Sequence, residues 1–398
     1  MSKFFPSYQL FIEVQDGEII SLPEEYANDR EFACKFNVTQ TTTSSAQTAT
    51  INIYNLSDTN RKRIFFNWFD QTSVLRKLSL YAGYNEEKHL IFNGVQQEVS
   101  TYREGASLVT EIHGTCLGYA INGYEINAEG NSTYTKTSGS NEYGEYEDLT
   151  FEELMNEREN AFTTEGKFQF AAGATRAEIL ASLAKEFSDL QEKNGMSGIV
   201  DMQLTNDEWL EKKFNKPVTL IGNIFDLIKQ YAPPNTNVWY NRDKLYIIST
   251  DIPIYKNLKE IERQTNLIRY WKAKQRKNGK KVLQARNNDS KFKVLKATVT
   301  ADDSSNSDVL IINAETGLLN TPRFYGQSMQ LTTLFEPRVN CGDLIRLQST
   351  VQPEYNRDYK VCGVTHSCEM GFGTTGSNTT MLTLIYPNSN YKDVGYTL

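Results

Sequence analysis

No stretch of these 398 residues is apolar for the roughly 20 positions that a membrane-spanning helix requires. The amino terminus, MSKFFPSYQLFIEV, carries one lysine and passes directly into alternating residues, without the continuous apolar segment and small-residue cleavage site of an export signal. Synthesis and assembly in a cytosol are expected. Five cysteines, an odd number without framework spacing, exclude a disulfide scaffold and fit free thiols in a reducing compartment. Only three histidines are present, His89, His113 and His366, scattered over strand-like regions, and there is no GxSxG elbow, HExxH helix or P-loop. The 49 acidic residues offer many carboxylate pairs, but no spacing selects one. No catalytic, cofactor-binding or metal-ligating residue is assigned.

What the chain does have is β-forming character. At 398 residues it exceeds what one core organises, so two to four domains are expected. Hydrophobic residues make up 39% and charged residues 23%, the balance of an ordinary soluble protein, while 22 Tyr and 20 Phe lean toward strands and broad contact surfaces. The net charge of −7 is unevenly spread. Between Glu125 and Glu165 eleven acidic residues face Lys136 and Arg158, a local net of −9; between Tyr255 and Lys296 fourteen basic residues face three acidic ones, a local net of +11. Solvated surface explains such blocks, and so does an acidic stretch of one subunit meeting the basic stretch of another, a contact that salt would screen.

Residues 1–124 read as a first β-barrel domain. Tyr8, Leu10, Ile12 and Val14 alternate, as do Phe32, Cys34, Phe36 and Val38, and INIYNL is a further strand. Thr39 to Thr48 reads as a polar loop. Ser57 suits a helix N-cap, with Ile64, Phe65, Trp68 and Phe69 on one side of the helix that follows. Residues 125–170 read as an acidic exposed insertion, with a short helix around Phe151 to Glu159. Residues 171–254 read as a small α/β module. Thr175 and Glu178 have capping-box spacing before the stripe Ile179, Leu180, Leu183 and Phe187; a second helix over Ile221 to Tyr231 stops at Pro233-Pro234; NVWY, NRDK and LYIIS make a hairpin. Residues 255–398 read as a basic connecting segment and a second β-barrel domain.

Three motifs invite chemistry. Gly371 to Gly376, GFGTTG, matches the dinucleotide-binding letters, but a strand follows where that fingerprint needs a helix, so a hairpin turn is the reading. Cys362, His366 and Cys368, with Cys341 upstream, resemble metal ligands. Along a strand, however, Cys362 and Cys368 lie roughly 20 Å apart, too far for one zinc ion, and small residues facing a core are the reading. Lys272 to Lys281, with Tyr270, Trp271 and Phe292 nearby, could line a nucleic-acid groove, yet the protein is acidic and the stretch fits no known binding module.

A β-unit is spelled twice. From Leu78 to Cys116 come LSLYAGY, the loop NEEKH, LIFNGVQQEVS, the turn YREGA and SLVTEIHGTC; from Leu344 to Tyr386 come LIRLQST, QPEYNRD, YKVCGVTHSCE, a Gly-rich turn and TMLTLIY. Gly94-Val95 and Gly363-Val364 fall at matching places by this count. Two look-alike meanders also arise from generic alternation. If the duplication is real, three chains present six similar faces.

INIYNLS, the strands up to IHGTC, the module GATRAEILASLAKEF with TLIGNIFDLIKQYAPP and NVWYNRDKLYIIS, and the run GLLNTPRFYGQSMQLTTLFEPRVNCGDLIRLQS with DYKVCGVTHSCE follow in an order that resembles the central hub proteins of phage tail baseplates, as in phage Mu and the T-even phages. These passages cover about three-quarters of the chain; the segment at 125–170 has no counterpart. The resemblance implies a mainly β fold with an α/β insertion: two similar tube-type β-barrel domains and a small helix-helix-hairpin module. It also implies a virion protein, a homotrimer forming a pseudo-sixfold ring in the tail baseplate that adapts a hexameric tail tube to a trimeric spike. Its partners would be itself, the tail tube or a tube-initiator protein, the spike protein and other baseplate proteins, with DNA only as passing cargo. The family brings no catalytic residues and no cofactors. A glycan- or cell-wall-degrading tail enzyme on a β-scaffold is the competing expectation.

Overall fold

The computed structural model describes residues 6–14, 17–23, 32–43, 47–64, 76–84, 87–116, 124–126, 132–134, 168–193, 197–204, 207–242, 244–254, 260–264, 280–288, 291–299, 309–325, 328–371 and 377–385. The chain begins with β1 (Pro6–Glu13), β2 (Ile19–Leu22), β3 (Cys34–Thr41), β4 (Thr48–Tyr54), α1 (Asp58–Ile64), β5 (Lys77–Tyr84), β6 (Glu87–Glu104) and β7 (Ser107–Thr115). A middle part follows: β8 (Tyr124–Ile126), β9 (Ser132–Tyr134), β10 (Gln169–Phe170), α2 (Arg176–Lys193), β11 (Ile199–Leu204), α3 (Asp207–Glu211), β12 (Val218–Thr219), β13 (Gly222–Asn223), α4 (Ile224–Tyr231), β14 (Thr236–Asn241) and β15 (Lys244–Ser249). The last part holds β16 (Glu260–Gln264), β17 (Lys280–Asn288), β18 (Lys291–Val299), β19 (Leu310–Asn313), β20 (Arg323–Tyr325), β21 (Ser328–Leu334), β22 (Leu344–Gln348), β23 (Asp358–Met370) and β24 (Thr379–Ile385).

The fold is mainly β with a few helices, and most strands belong to one large, predominantly antiparallel sheet. Period-two alternation puts Tyr8, Leu10 and Ile12 of β1 and Cys34, Phe36 and Val38 of β3 on the buried face. Each such aliphatic or aromatic side chain contributes about 1.5–3 kcal/mol on leaving water. Thr39 to Thr48 departs from the polar loop expected there. β3 runs on to Thr41 and β4 begins at Thr48, because the alternation continues through Gln40 and Thr42, which are buried at 1% and 2% exposure.

The N-terminal unit has the strand order β1-β5-β6-β7-β4-β3, and the C-terminal unit β19-β22-β23-β24-β21-β20. Five positions agree in spatial order, chain order and antiparallel pairing: β5 with β22, β6 with β23, β7 with β24, β4 with β21 and β3 with β20. The sixth differs, since β1 runs antiparallel to β5 whereas β19 runs parallel to β22.

The two units also share a β-bulge, between Gln96 and Glu98 in β6 and between Val361 and Gly363 in β23. Just before it the Gln96 N–H donates to the Arg76 carbonyl at 2.9 Å, and the Val361 N–H donates to that of Asp343 at 2.9 Å. This register makes Glu98-Val99, not Gly94-Val95, the counterpart of Gly363-Val364. Counting letters misses it because the strands that flank the bulge differ in length. Core residues then correspond: Leu78 with Ile345, Leu80 with Leu347, Val99 with Val364, Ile112 with Leu382 and Ile51 with Leu331, all buried. Two closed barrels were the expectation; among the described residues the ladder is an open path, and the N-terminal unit passes into the C-terminal one through β3 and β23.

Between the units lies the α/β module. Thr175 and Glu178 form the reciprocal capping box, each side chain accepting from the other's backbone N–H at 3.0 and 3.2 Å. Ile179, Leu180, Leu183 and Phe187 of α2 are fully buried. Asn223 caps α4, its side-chain oxygen accepting from the N–H groups of Phe225 and Asp226. The hairpin β14-β15 continues through β11 into β17, β18 and β16, so the described strands of the basic segment join the module's sheet. Ser57 caps α1, its hydroxyl accepting from the Asn60 N–H at 3.2 Å. Phe65, Trp68, Phe69, the helix expected around 151–159, most of the acidic segment and residues 265–279 lie outside the described residues.

Candidate functional site at the strand junction

β3 and the C-terminal half of β23 pair antiparallel over eight positions, from Thr41 opposite Gly363 to Cys34 opposite Met370. β23 is long enough to serve two partners on one side: β22 takes Asp358 to Lys360, and β3 takes Gly363 to Met370. The Thr42 N–H extends the ladder to the Cys362 carbonyl at 2.9 Å. On the outer face Lys35 pairs with Glu369 at 2.8 Å, and the Thr39 and Thr365 hydroxyls meet at 3.5 Å. Both ion-pair side chains are substantially exposed, so the pair adds little beyond register. Beneath the seam Phe335 is fully buried and takes Phe36, Tyr84 and His366 at ring separations of 6.2, 6.0 and 5.5 Å. The Tyr84 hydroxyl donates to the Phe335 carbonyl at 2.8 Å, tying β5 of one unit to the other.

The hairpin β14-β15 braces the seam. Asn241 donates to the Gln40 side-chain oxygen at 2.6 Å, the Arg242 N–H donates to Gln47 at 3.3 Å, and the Cys116 thiol donates to the Tyr240 carbonyl at 3.1 Å. Toward the C-terminal unit, Trp239, Ile248 and Ile252 join the cluster of Val361, Val364 and Leu382. Lys360, fully buried, donates to the carbonyls of Ser249 and Thr250 at 3.0 and 3.3 Å. Burial lowers its ammonium to a pKa of about 8, against a smaller opposing pull from Asp251.

The residues that invited chemistry are each engaged separately. His366 is fully buried, with Nδ1 2.9 Å from the Thr380 hydroxyl; burial first, and then Arg242, hold its pKa down at about 3 against the opposing effect of Glu336. The Cys362 thiol donates to the Thr383 carbonyl at 3.3 Å. Burial pushes the Cys34, Cys341 and Cys368 thiols well up and that of Cys116 to about 12, the opposite of what a nucleophile or metal ligand needs. Among the described residues no three His, Cys, Asp or Glu side chains are grouped to hold a metal ion. His89 and His113 sit on β6 and β7 beside Glu87 and Glu111 at 3.3 and 3.0 Å. Of the Gly371–Gly376 run only Gly371 is described, between the antiparallel partners β23 and β24. Of the basic run that begins at Lys272, residues 272–279 lie outside the described residues, and Lys280 and Lys281 open β17.

Sequence reasoning did not find Gln40, Gln47, Asn241, Lys360 or Phe335. For Gln40 a signal existed, since it continues the parity of Phe36 and Val38; for the others, the pairing partners are remote in sequence.

No family model and no curated protein matches the chain. Among solved structures, the prophage MuSo2 43 kDa tail protein from Shewanella oneidensis aligns over 97% of this chain and 98% of its own, at 10% identity and a TM-score of 0.43. The tail protein from Neisseria meningitidis MC58 aligns over 96% and 97%, at 7% identity and 0.44. The E. coli c3393 protein, a component of the type VI secretion system described as similar to the T4 tail proteins gp27 and gp5, aligns over 92% and 77%, at 8% identity and 0.41. The likeness is one of chain course.

Proposed function

We propose that this chain is the structural, non-enzymatic hub of a phage-type tail baseplate. Three copies form a ring in which the two units of each chain, as tube-type barrel domains, act as six similar subunits. The ring adapts a hexameric tail tube to a trimeric spike and surrounds the channel through which DNA leaves. The observation that carries this reading is the correspondence of five strands in the two units, which are joined through β3 and β23. A chain that contains its own near-repeat can present sixfold-like geometry on one side while keeping threefold chain symmetry. The module braces the barrels, and the acidic segment at 125–170 and basic segment at 255–296 of neighbouring subunits latch through charge, which screening weakens.

Mass in solution and class averages of negatively stained particles test the reading. A ring of three chains with six like lobes is expected. A strict monomer at micromolar concentration, with no ring in assembled particles, overturns it.

A further inference from the structure

The junction inside the chain has a counterpart that the chain leaves open. The strand equivalent to β23 is β6, and the segment equivalent to Gly363–Glu369 is Glu98–Glu104. In β23 that segment is covered on the β22 side by β3. In β6 the same side is uncovered: β5 stops pairing at Val95, and no described strand pairs with residues 98–104 there. Burial follows. His366 and Cys368 have 0% and 1% exposure, while their counterparts Thr101 and Arg103 are exposed.

At the opposite end of the sheet, the strand equivalent to β3 is β20, and it terminates the strand order with one side unpaired among the described residues. Each open edge carries a partly exposed aromatic side chain: Tyr102 at 40% exposure on β6, its hydroxyl hydrogen-bonded to Asn52 and Glu111, and Phe324 at 50% on β20, with one side of its ring against Tyr355. Unpaired edges with exposed aromatics are docking templates.

We infer that β20 of one copy of this chain pairs antiparallel with residues 98–104 of β6 in the next copy, repeating between chains the β3·β23 junction found within one. Donor edge and acceptor edge differ, so the contact is head to tail, and it closes into a ring when the turn per step divides the circle. The inference rests on the trimeric hub reading and gives it a location.

The internal register fixes the external one. Val38 lies opposite His366 and Asn37 opposite Ser367, which places Phe324 opposite Thr101 and Arg323 opposite Tyr102 of the neighbour. Val38 and His366 are both fully buried, so Phe324 passes from half-exposed to buried. Glu104 is the counterpart of Glu369, which Lys35 pairs internally; Arg323 is the nearest cation on the incoming strand. The external ladder is the shorter, because Pro322 lacks an N–H and β20 has three residues where β3 has eight.

Paired cysteines in the full-length chain test this. Directly opposed residues have Cα atoms about 4.5–5.5 Å apart, inside the disulfide window, whereas four positions out of register leaves them about 13 Å apart. Tyr102→Cys with Arg323→Cys is expected to give covalent dimers and trimers, ending at three, on mild oxidation. Glu98→Cys with Arg323→Cys, each single variant and the unaltered chain are expected to stay uncrosslinked. Phe324→Asp, in the otherwise unaltered chain, is expected to weaken trimer formation at least tenfold by native mass spectrometry. Trimers whose in-register pair crosslinks no better than the out-of-register pair overturn this junction and leave the hub reading standing. Covalent dimers that never extend to trimers overturn the head-to-tail ring. A chain that remains monomeric and uncrosslinked at micromolar concentration overturns both.

Discussion

The N-terminal and C-terminal units share a ladder but not its chemistry. Where β5 meets β6, the Ser79 hydroxyl donates to the Asn93 side chain at 2.8 Å; at the corresponding place Arg346 grips Asp358 with two hydrogen bonds of 2.7 and 3.0 Å. Val95 is replaced by the buried Lys360, and the facing pair Thr101 and Thr110 by His366 and Thr380. Lys360 stands where the C-terminal unit meets the end of the module's hairpin, and His366 where β3 comes in. Backbone pairing sets a shape that many side chains tolerate, and side-chain chemistry then follows the neighbours that each unit acquires.

At neutral pH the largest expected effect separates two glycines. A Cβ on Gly94 would lie 2.3 Å from the Thr115 carbonyl oxygen, a backbone atom, whereas one on Gly363 would lie 3.2 Å from the Thr383 side chain. Gly94→Ala is expected to cost about 3 kcal/mol or more and Gly363→Ala at most about 1, read from urea midpoints. Equal losses would show that the β6·β7 approach is looser than described.

Next comes acid. The folded His366 pKa of about 3 lies below the ordinary 6.5, so the unfolded chain binds the extra proton and stability falls as pH drops from about 6.5 toward 3. His366→Thr, which copies Thr101, is expected to flatten that decline by up to about 1.4 kcal/mol per pH unit, at the cost of a cavity at neutral pH. An unchanged slope would place the titration elsewhere.

Lys360 works at the other end of the scale. Its folded pKa of about 8 lies below the ordinary 10.5, so the unfolded chain holds the proton longer and stability rises between about pH 8 and 10.5. In Lys360→Met this rise should vanish, again measured as unfolding free energy against pH. The smallest effect sharpens the Arg346 comparison. Arg346→Ser alone, which removes the guanidinium from the Asp358 carboxylate, is expected to cost about 1–2 kcal/mol; adding Asp358→Asn, which copies Ser79 and Asn93, should recover part of it in a double-mutant cycle.

Much of the local structure was legible in the sequence, because alternation, caps and turn residues act over a few positions. β1, β3, β4 and the meander of β5, β6 and β7 follow from parity, and the Thr175–Glu178 box from short-range hydrogen bonding, whereas the second helix, expected from Ile221, begins at Ile224 because Gly222 and Asn223 pair as β13 and Asn223 serves as its cap. The repeat was visible as a grammar of strands and turns, yet its register was not, since β6 and β23 run for different lengths before the bulge they share, which shifts a count of letters. The junction itself was out of reach: Cys34 and Met370 pair across the length of the chain, and neither carries a local mark of its partner. The strands of the basic segment joined the module's sheet for the same reason, long-range pairing being invisible to a window of charges.

The eight-pair seam between β3 and β23 alters the arithmetic of assembly. Because both strands belong to one polypeptide, they meet at an effective concentration set by the tether, independent of how dilute the protein is. A six-lobed ring built from such chains has half of its contacts formed before any two molecules collide, and only two encounters lose translational freedom, since the last contact between chains closes the ring.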